Sequence, residues 1–324
     1  MNENKLISIV VPVFNESETI DAFFETLNPA LVGLSSRYNF EIIFTDNHST
    51  DDTFEKLADR AAHDSRVRVI RFSRNFGYQR SILTAYTNAR GAAAIQLDCD
   101  LQDPPALIEQ FLDHWEDGYK VVYGVRRSRK EGWLIRSIRR VFYRLVDWLS
   151  DIELPHHAGD FRIIDRQLLD LLSGSIDCNP YLRGMISRYG FKQIGIPYDR
   201  DPRTQGKSKF GLSDLFTVAL DGIVSQSTVP LRFATHTGLL IAFVMFVAII
   251  VYSVGHVFFG ATWPPGFATT TVLILFGISI NAMFLGIIGE YIARIYQQSV
   301  KDRITIVEKT VPESDAKIVV TPGK

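Results

Sequence analysis

Cysteine is almost missing: the 324 residues hold two, Cys99 and Cys178. That excludes a disulfide-stapled scaffold, and nothing in the chain requires an oxidising compartment. A charge surplus of either sign is missing too. Lys plus Arg number 35 against 36 Asp plus Glu, a formal net charge of −1, whereas a dedicated nucleic-acid binder carries a clear basic excess. Neither a P-loop nor a G-x-G-x-x-G fingerprint occurs, so the usual glycine-rich phosphate cradles are not available. With 46% apolar and 22% charged residues the chain is not intrinsically disordered. The most informative absence is local: from Phe233 to Gly289 there is no Asp, Glu, Lys or Arg.

A bilayer core of ~30 Å is crossed by about 20 apolar residues in a helix. The uncharged stretch holds two such runs, roughly Ala234–Phe258 and Ala268–Ala293. Gly260-Ala261-Thr262-Trp263-Pro264-Pro265-Gly266 forms a short turn between them. Two spans and a short turn make a hairpin with both ends on one side. Arg232 precedes it, Arg294, Lys301 and Arg303 follow it, and the turn has no basic residue, so both ends are expected in the cytoplasm. The competing reading is a buried helical hairpin of a soluble domain, which so long an uncharged stretch disfavours. Glu290 reads as an interfacial residue or as a partner for a nearby Arg. No secretory signal is expected, because Leu6–Val11 is short, lacks a basic flank and breaks at Pro12. The domain reading is therefore 1–232 catalytic, 233–293 transmembrane and 294–324 a cytoplasmic tail.

The first 124 residues alternate short apolar runs with amphipathic stretches. Strands are expected at Ile7–Pro12, Phe40–Thr45, Val67–Phe72, Ala93–Leu97 and Lys120–Tyr123. Helices are expected at Glu16–Leu27, Asp52–Asp64, Gly77–Asn88 and Pro104–Trp115. That is a βαβ succession and a mainly parallel sheet, in which ligands sit at the carboxyl ends of the strands. The first strand ends in Pro12-Val13-Phe14-Asn15-Glu16 and the second in Asp46-Asn47-His48-Ser49-Thr50-Asp51. Asn15, Ser49 and Asp51 are equally well read as helix caps. Glu16 and Asp46 stand where a ligand crevice is expected.

The fourth strand ends in Asp98-Cys99-Asp100-Leu101-Gln102-Asp103-Pro104-Pro105. Carboxylates one residue apart point the same way on extended backbone and repel unless a cation lies between them. Hard oxygens suit Mg2+ or Mn2+, which bind one or two carboxylates plus substrate phosphates. Gln102 adds a third oxygen. Asp103 reads as an N-cap before Pro, and Cys99 as a core residue. His156 and His157 near Asp160 lie in a Pro/Gly loop and read as a loop rather than a metal cluster.

These motifs, with Ser73-Arg74-Asn75-Phe76-Gly77, Gly159-Asp160-Phe161-Arg162, Gly206-Lys207-Ser208-Lys209 and the closing Gly286-Ile287-Ile288-Gly289-Glu290-Tyr291-Ile292, resemble the family 2 glycosyltransferases of GT-A (Rossmann-like) fold. More narrowly they resemble the polyisoprenyl-phosphate glycosyltransferases, over nearly the whole chain. The resemblance implies a nucleoside held by Pro12, Phe14, Glu16 and Asp46, with Asp46 on the base. It also implies a metal on the donor diphosphate held by Asp98, Asp100 and Gln102, with Asp98 also contacting the nucleotide-sugar. Asp160 and Asp100 would stand at the reacting centre. Arg126, Arg127, Arg203 and Lys209 would grip phosphates. Where this family usually reads Asp-Asp-Gly-Ser, the chain has Asp46-Asn47-His48-Ser49; losing the glycine removes free access to positive φ, which Asn47 tolerates best.

The implied reaction moves a sugar, glucose by resemblance, from a uridine nucleotide-sugar to undecaprenyl or another polyprenyl phosphate with inversion. The acceptor phosphate has a second pKa of roughly 6–7, so no strong base is needed, and Asp160 either orients a substrate or acts as a weak base. From Arg126 to Arg144 eight basic residues face one acidic residue. With Trp133, Ile138, Phe142 and Trp148 at helical spacing, about 132–149 reads as a helix lying on an anionic membrane; about 210–230 reads as a second. An ordinary core-facing helix is the alternative. Asp199–Phe210 reads as a loop whose cations close on phosphates, or as a plain linker. Two spans make a scant lipid cradle, so a homo-oligomer at the inner membrane is expected, and no nucleic-acid partner. The rivals are a processive polysaccharide synthase, whose Gln-x-x-Arg-Trp motif is missing here, and a non-catalytic scaffold or lipid carrier of the same fold.

Overall fold

A computed structural model describes residues 4–127, 158–174, 180–199, 266–299 and 305–313, and, before 266, Leu231 and most positions from 234 to 244 with Val247, Ile250 and Val254. The chain divides into two units, one holding 1–143, 153–211 and 301–324 and the other 144–152 and 212–300.

The first unit is a three-layer α/β/α domain. In order it contains β1 (Lys5–Val13), α1 (Ile20–Gly33), β2 (Tyr38–Asp46), α2 (Thr53–His63), β3 (Val67–Phe72), α3 (Tyr78–Asn88), β4 (Ala93–Gln96), α4 (Leu107–Glu116) and β5 (Val121–Arg126). Then follow β6 (Ala158–Asp165), α5 (Arg166–Ser173), α6 (Leu182–Arg188), β7 (Gln193–Tyr198) and, late in the chain, β8 (Val307–Val311). The eight strands lie in the order β7-β5-β6-β4-β1-β2-β3-β8. β1 runs parallel to β2 and β4, and β2 parallel to β3. Alternate residues of β1 face opposite layers. Ile7, Ile9 and Val11 pack with α1, α2 and α4, while Val10 packs with α3, α5 and α6. A strand buried on both faces reads as a continuous apolar run, which is why β1 to β4 were visible in sequence.

The sheet is more mixed than the βαβ pattern predicts. β6 inserts antiparallel between β4 and β5, and β8 adds antiparallel to β3. The β4–β6 register pairs Ala93 with Asp165 and Gln96 with Arg162. Extended by two residues, it sets Asp160 level with Asp98. Part of the segment read as a tail thus forms one of the sheet's two edge strands.

In the second unit α7 (Phe267–Ser299) has 33 residues, about 50 Å at 1.5 Å per residue. Its window Phe276–Ala293 has a mean hydropathy of 1.5 with no residue buried, and among the described residues it is the one helix long and apolar enough to cross a membrane. The sequence predicts two spans. The described residues of the first run are helical, and Leu239, Leu240 and Phe243 are exposed, but they do not delimit a second spanning helix. The interfacial segments 132–149 and 210–230 lie outside the described residues.

Candidate active site

Three loops leave the carboxyl ends of β1, β2 and β4, and each holds a non-glycine residue with positive φ: Asn15 (55°), His48 (64°) and Leu101 (58°). These are the only such residues among those described, and backbone strain of this kind gathers at ligand sites. The loops lock one another. The Asn15 amide donates to Ser49 Oγ (3.0 Å), the Thr50 amide to Asn15 Oδ1 (2.8 Å) and the Glu16 amide to Thr53 Oγ1 (2.9 Å). The capping readings of Asn15 and Ser49 are therefore corrected: α1 begins after Thr19 and α2 after Asp52, and both side chains bridge between loops instead. Positive φ falls on His48 rather than Asn47. The His48 Nδ1–H donates to the Phe72 carbonyl (3.0 Å), while Asn47 Oδ1 accepts from the Phe76 amide (2.9 Å).

Asp46 is fully buried at the end of β2. Its Oδ1 accepts from the Ser49 amide (3.0 Å), whereas Oδ2 has no hydrogen-bond partner. Arg71 Nε stands 3.8 Å away and is also unsatisfied. Burial pushes the Asp46 carboxyl up, against the pull of Ser49 and Arg71. Pro12 is buried in β1, and Phe14 and Glu16 are half-buried just beyond it.

At the end of β4, Asp98 and Asp100 are partly exposed and Cys99 between them is buried, its Sγ 3.5 Å from Thr19 Oγ1. Asp98 Oδ1 accepts from the Tyr78 hydroxyl (2.6 Å) and from Gln96 Nε2 (2.8 Å). Asp100 Oδ1 accepts from the Gln102 amide (3.2 Å) across the turn that Leu101 makes. Desolvation, together with the nearby Asp103, Asp160 and Asp100 carboxylates, raises the Asp98 carboxyl to about 7 despite the Tyr78 hydrogen bond.

Asp160, on β6, is gripped by Arg183 of α6 in a two-point pair, Nε to Oδ1 and Nη2 to Oδ2, both 2.8 Å. Arg162 Nη2 is 3.7 Å from Oδ1. Burial would raise this carboxyl, but Arg183, Arg162 and Arg126 outweigh it and hold it below the ordinary range. Arg126 lies against Gly159, where a Cβ would meet its Nη2 at 3.3 Å. Its Nε donates to the Tyr198 hydroxyl (3.4 Å), which in turn donates to Asp103. Asp103 is thus buried under Arg126 and is not the cap of α4, which begins after Ala106.

The sequence model of glycosyl transferase family 2 matches residues 8–172, which hold all three loops, Arg126 and Asp160 but neither Arg183 of α6 nor Tyr198 of β7. The chain belongs to glycosyl transferase family 2. An uncharacterised glycosyltransferase of Bacillus subtilis, YkcC, is 37% identical over 96% of this chain and 95% of its own. A prophage bactoprenol glucosyl transferase homolog of Escherichia coli is 34% identical over 91% and 96%, and the bactoprenol glucosyl transferase of Shigella phage SfV is 34% identical over 90% and 95%. Among solved structures, a mannosyltransferase from Pyrobaculum calidifontis in complex with GDP-Man and Mn2+ is 15% identical over 93% and 87%, with a TM-score of 0.47.

For this family 2 glycosyltransferase the sheet brings Asp98, Asp100, Gln102, Asp160 and Arg126 to one end and Pro12, Phe14, Glu16 and Asp46 to the adjoining loops. Arg127 is exposed and pairs with Asp199 at 3.2 Å; Arg203 and Lys209 lie outside the described residues. The donor set fits a hard divalent cation. The Asp98 carboxyl feels the negative charge of Asp100, Asp103 and Asp160, and the buried Oε1 of Gln96, whose amide nitrogen donates to Asp98, has no hydrogen-bond partner. Among the described residues no group of three or more His, Cys, Asp or Glu side chains is placed to hold a metal ion. Tyr78, Arg71 and Arg183 were not singled out from sequence, and Arg162 was quoted within a motif but given no role. Only the spacing of Arg162 from Asp160 signalled any of them; Arg183 sits in an otherwise unremarkable helix.

Proposed function

We propose that this glycosyltransferase is an integral-membrane enzyme. It moves glucose from a uridine diphosphate donor to undecaprenyl, or another polyprenyl, phosphate with inversion, on the cytoplasmic face of the inner membrane, and its product serves cell-envelope glycan modification. The observation that carries this is the meeting, at one sheet end, of the Asp98/Asp100 pair with Asp160 and its arginines, in a chain whose relatives include bactoprenol glucosyl transferases. Asp98, Asp100 and Gln102 would hold Mg2+ or Mn2+, which when bound supplies positive charge to the departing diphosphate.

The rest is the chain's own work. Asp46 Oδ2 and Arg71 Nε, an acceptor beside a donor, match the imide N–H and carbonyl of uracil, and Pro12, Phe14 and Glu16 flank the nucleoside. Arg126 and Arg183 present cations to phosphate, the chemistry for which arginine's planar fork is suited; Arg127, Arg203 and Lys209 are further candidates. An acceptor phosphate oxygen attacks the anomeric carbon, the bond to the donor's β-phosphate oxygen breaks, and UDP leaves with the electron pair. The acceptor is already a dianion, so no proton need be removed. Asp160, tied to Arg183, orients that arginine instead of acting as a base.

The apolar runs would form a two-span anchor. A Cβ at Gly238 would lie 3.5 Å from the Phe284 ring, which supports contact between the two runs, and a homo-oligomer would widen the lipid cradle. The test is UDP release from UDP-glucose by the detergent-purified chain, with and without Mn2+ and a short polyprenyl phosphate. Turnover that needs neither additive sinks the proposal.

A further inference from the structure

The strand that finishes the sheet beside β3 comes from beyond the last apolar helix, and it is irregular at one place. β8 pairs Lys309 with Arg71 and Val307 with Phe72, so Glu308 is the extra residue of a bulge. Bulges re-aim a side chain and recur beside active sites. Here the re-aimed carboxylate reaches the Asp46 pocket: Glu308 Oε2 lies 3.4 Å from Arg71 Nε and 3.5 Å from His48 Nδ1.

The strand carrying it is well fastened. The Ser73 amide donates to the Ile306 carbonyl at 3.0 Å, and the buried Thr84 and Thr305 hydroxyls are 2.9 Å apart. Arg71 lies over the Phe54 ring at 4.6 Å and donates through Nη2 to the Ser49 carbonyl at 3.3 Å. Its Nε is therefore shared between two carboxylates, 3.4 Å from Glu308 and 3.8 Å from Asp46, and hydrogen-bonded to neither. Without Glu308 the Nε side of the guanidinium faces Asp46 only, Glu55 reaching just Nη1 at 4.0 Å, and a guanidinium beside a fully buried carboxylate closes to a direct charge-assisted hydrogen bond. That contact would occupy the donor and the acceptor that now stand unsatisfied.

We propose that Glu308 is a positioning residue for the donor nucleotide: it draws Arg71 away from Asp46 and so keeps open the acceptor–donor slot that takes the edge of the base. This rests on the reading that the Asp46 pocket binds the nucleobase. It follows that the donor site is completed only by residues encoded after the membrane segment.

The test is calorimetric titration of UDP into the full-length protein in detergent, for the wild type, Glu308→Ala, Glu308→Gln and Asp46→Asn, with thermal midpoints and the acceptor KM measured in parallel. The expected result is a rise in the UDP dissociation constant of roughly three- to tenfold for Glu308→Ala, the size of one net hydrogen bond, and a smaller rise for Glu308→Gln. Midpoint and acceptor KM should stay at wild-type values. If Asp46→Asn loses UDP binding while both Glu308 variants bind as wild type, Glu308 merely belongs to an edge strand and the inference is overturned. If Asp46→Asn binds UDP normally, the pocket assignment falls first and takes the inference with it.

Discussion

Single residues at this site mostly serve other residues. Asn15, Ser49 and Asp103 stand at positions where a helix cap is the ordinary reading, yet each is spent on a long-range contact. Capping signals are local and these partners lie 34 to 95 positions away, so no window of sequence could have chosen between the two uses. The position of Asp98 and Asp100 at the end of β4 was legible because strand and motif are contiguous in sequence; the Tyr78 and Gln96 side chains that hydrogen-bond Asp98 were not. Asp98→Asn and Asp100→Asn are each expected to lower metal-dependent UDP release by roughly 100-fold or more, the scale of a lost transition-state charge contact. Full turnover in either would remove the metal assignment. Asp160→Asn should lower turnover without moving the pH–rate profile above about pH 5, because the wild-type carboxyl already titrates below the ordinary carboxylate range. An inflection near neutrality that the substitution abolishes would identify Asp160 as a base after all.

At the scale of elements, β1 to β5 and α1 to α4 were readable from periodicity, with boundaries shifting by a few residues. β6, α5, α6, β7 and β8 were not. β6 is far from β5 in sequence and pairs antiparallel with strands on both sides, and nothing in Ala158–Asp165 announces that it enters the middle of the sheet. Its last residue joins four elements. Asp165 caps α5 through the Gln167 amide (3.0 Å), accepts from the Trp115 indole of α4 (2.8 Å) and meets Lys120 Nζ, just before β5, at 3.1 Å. Burial would raise its pKa, but these three partners together hold it below the ordinary value. A depressed folded-state pKa contributes stability that is complete above the unfolded value of about 4 and is lost as pH falls through the lower folded value. Asp165→Asn should therefore cost about 1–3 kcal/mol at neutral pH and flatten the acid limb of a denaturation series run from pH 6 to 2. An unchanged acid limb would count against this linkage. Gly124→Ala tests the other side of the site. A Cβ there would stand 2.6 Å from Tyr198 Cε1, so the ring and the Arg126 it holds must shift. The expected cost is about 1–3 kcal/mol with a loss of turnover, and a crystal structure showing Tyr198 unmoved would refute it.

For the whole molecule, the uncharged stretch remains the strongest sequence signal, and α7 carries it into structure with an apolar surface exposed along its length. Cell fractionation should find the chain in membranes, resistant to high salt and alkaline wash and released by detergent. Recovery as a monomer without detergent would refute the anchor. One late feature also sets the order of assembly. The outer edge of β3 has no partner until translation reaches β8, well after both greasy runs have emerged. At ~5–20 residues per second that edge stays bare for roughly 10–50 s, an invitation to mispairing. A ribosome that stalls or a message cut short within the anchor would leave a nascent chain with a frayed margin, marking it for clearance before it could consume donor.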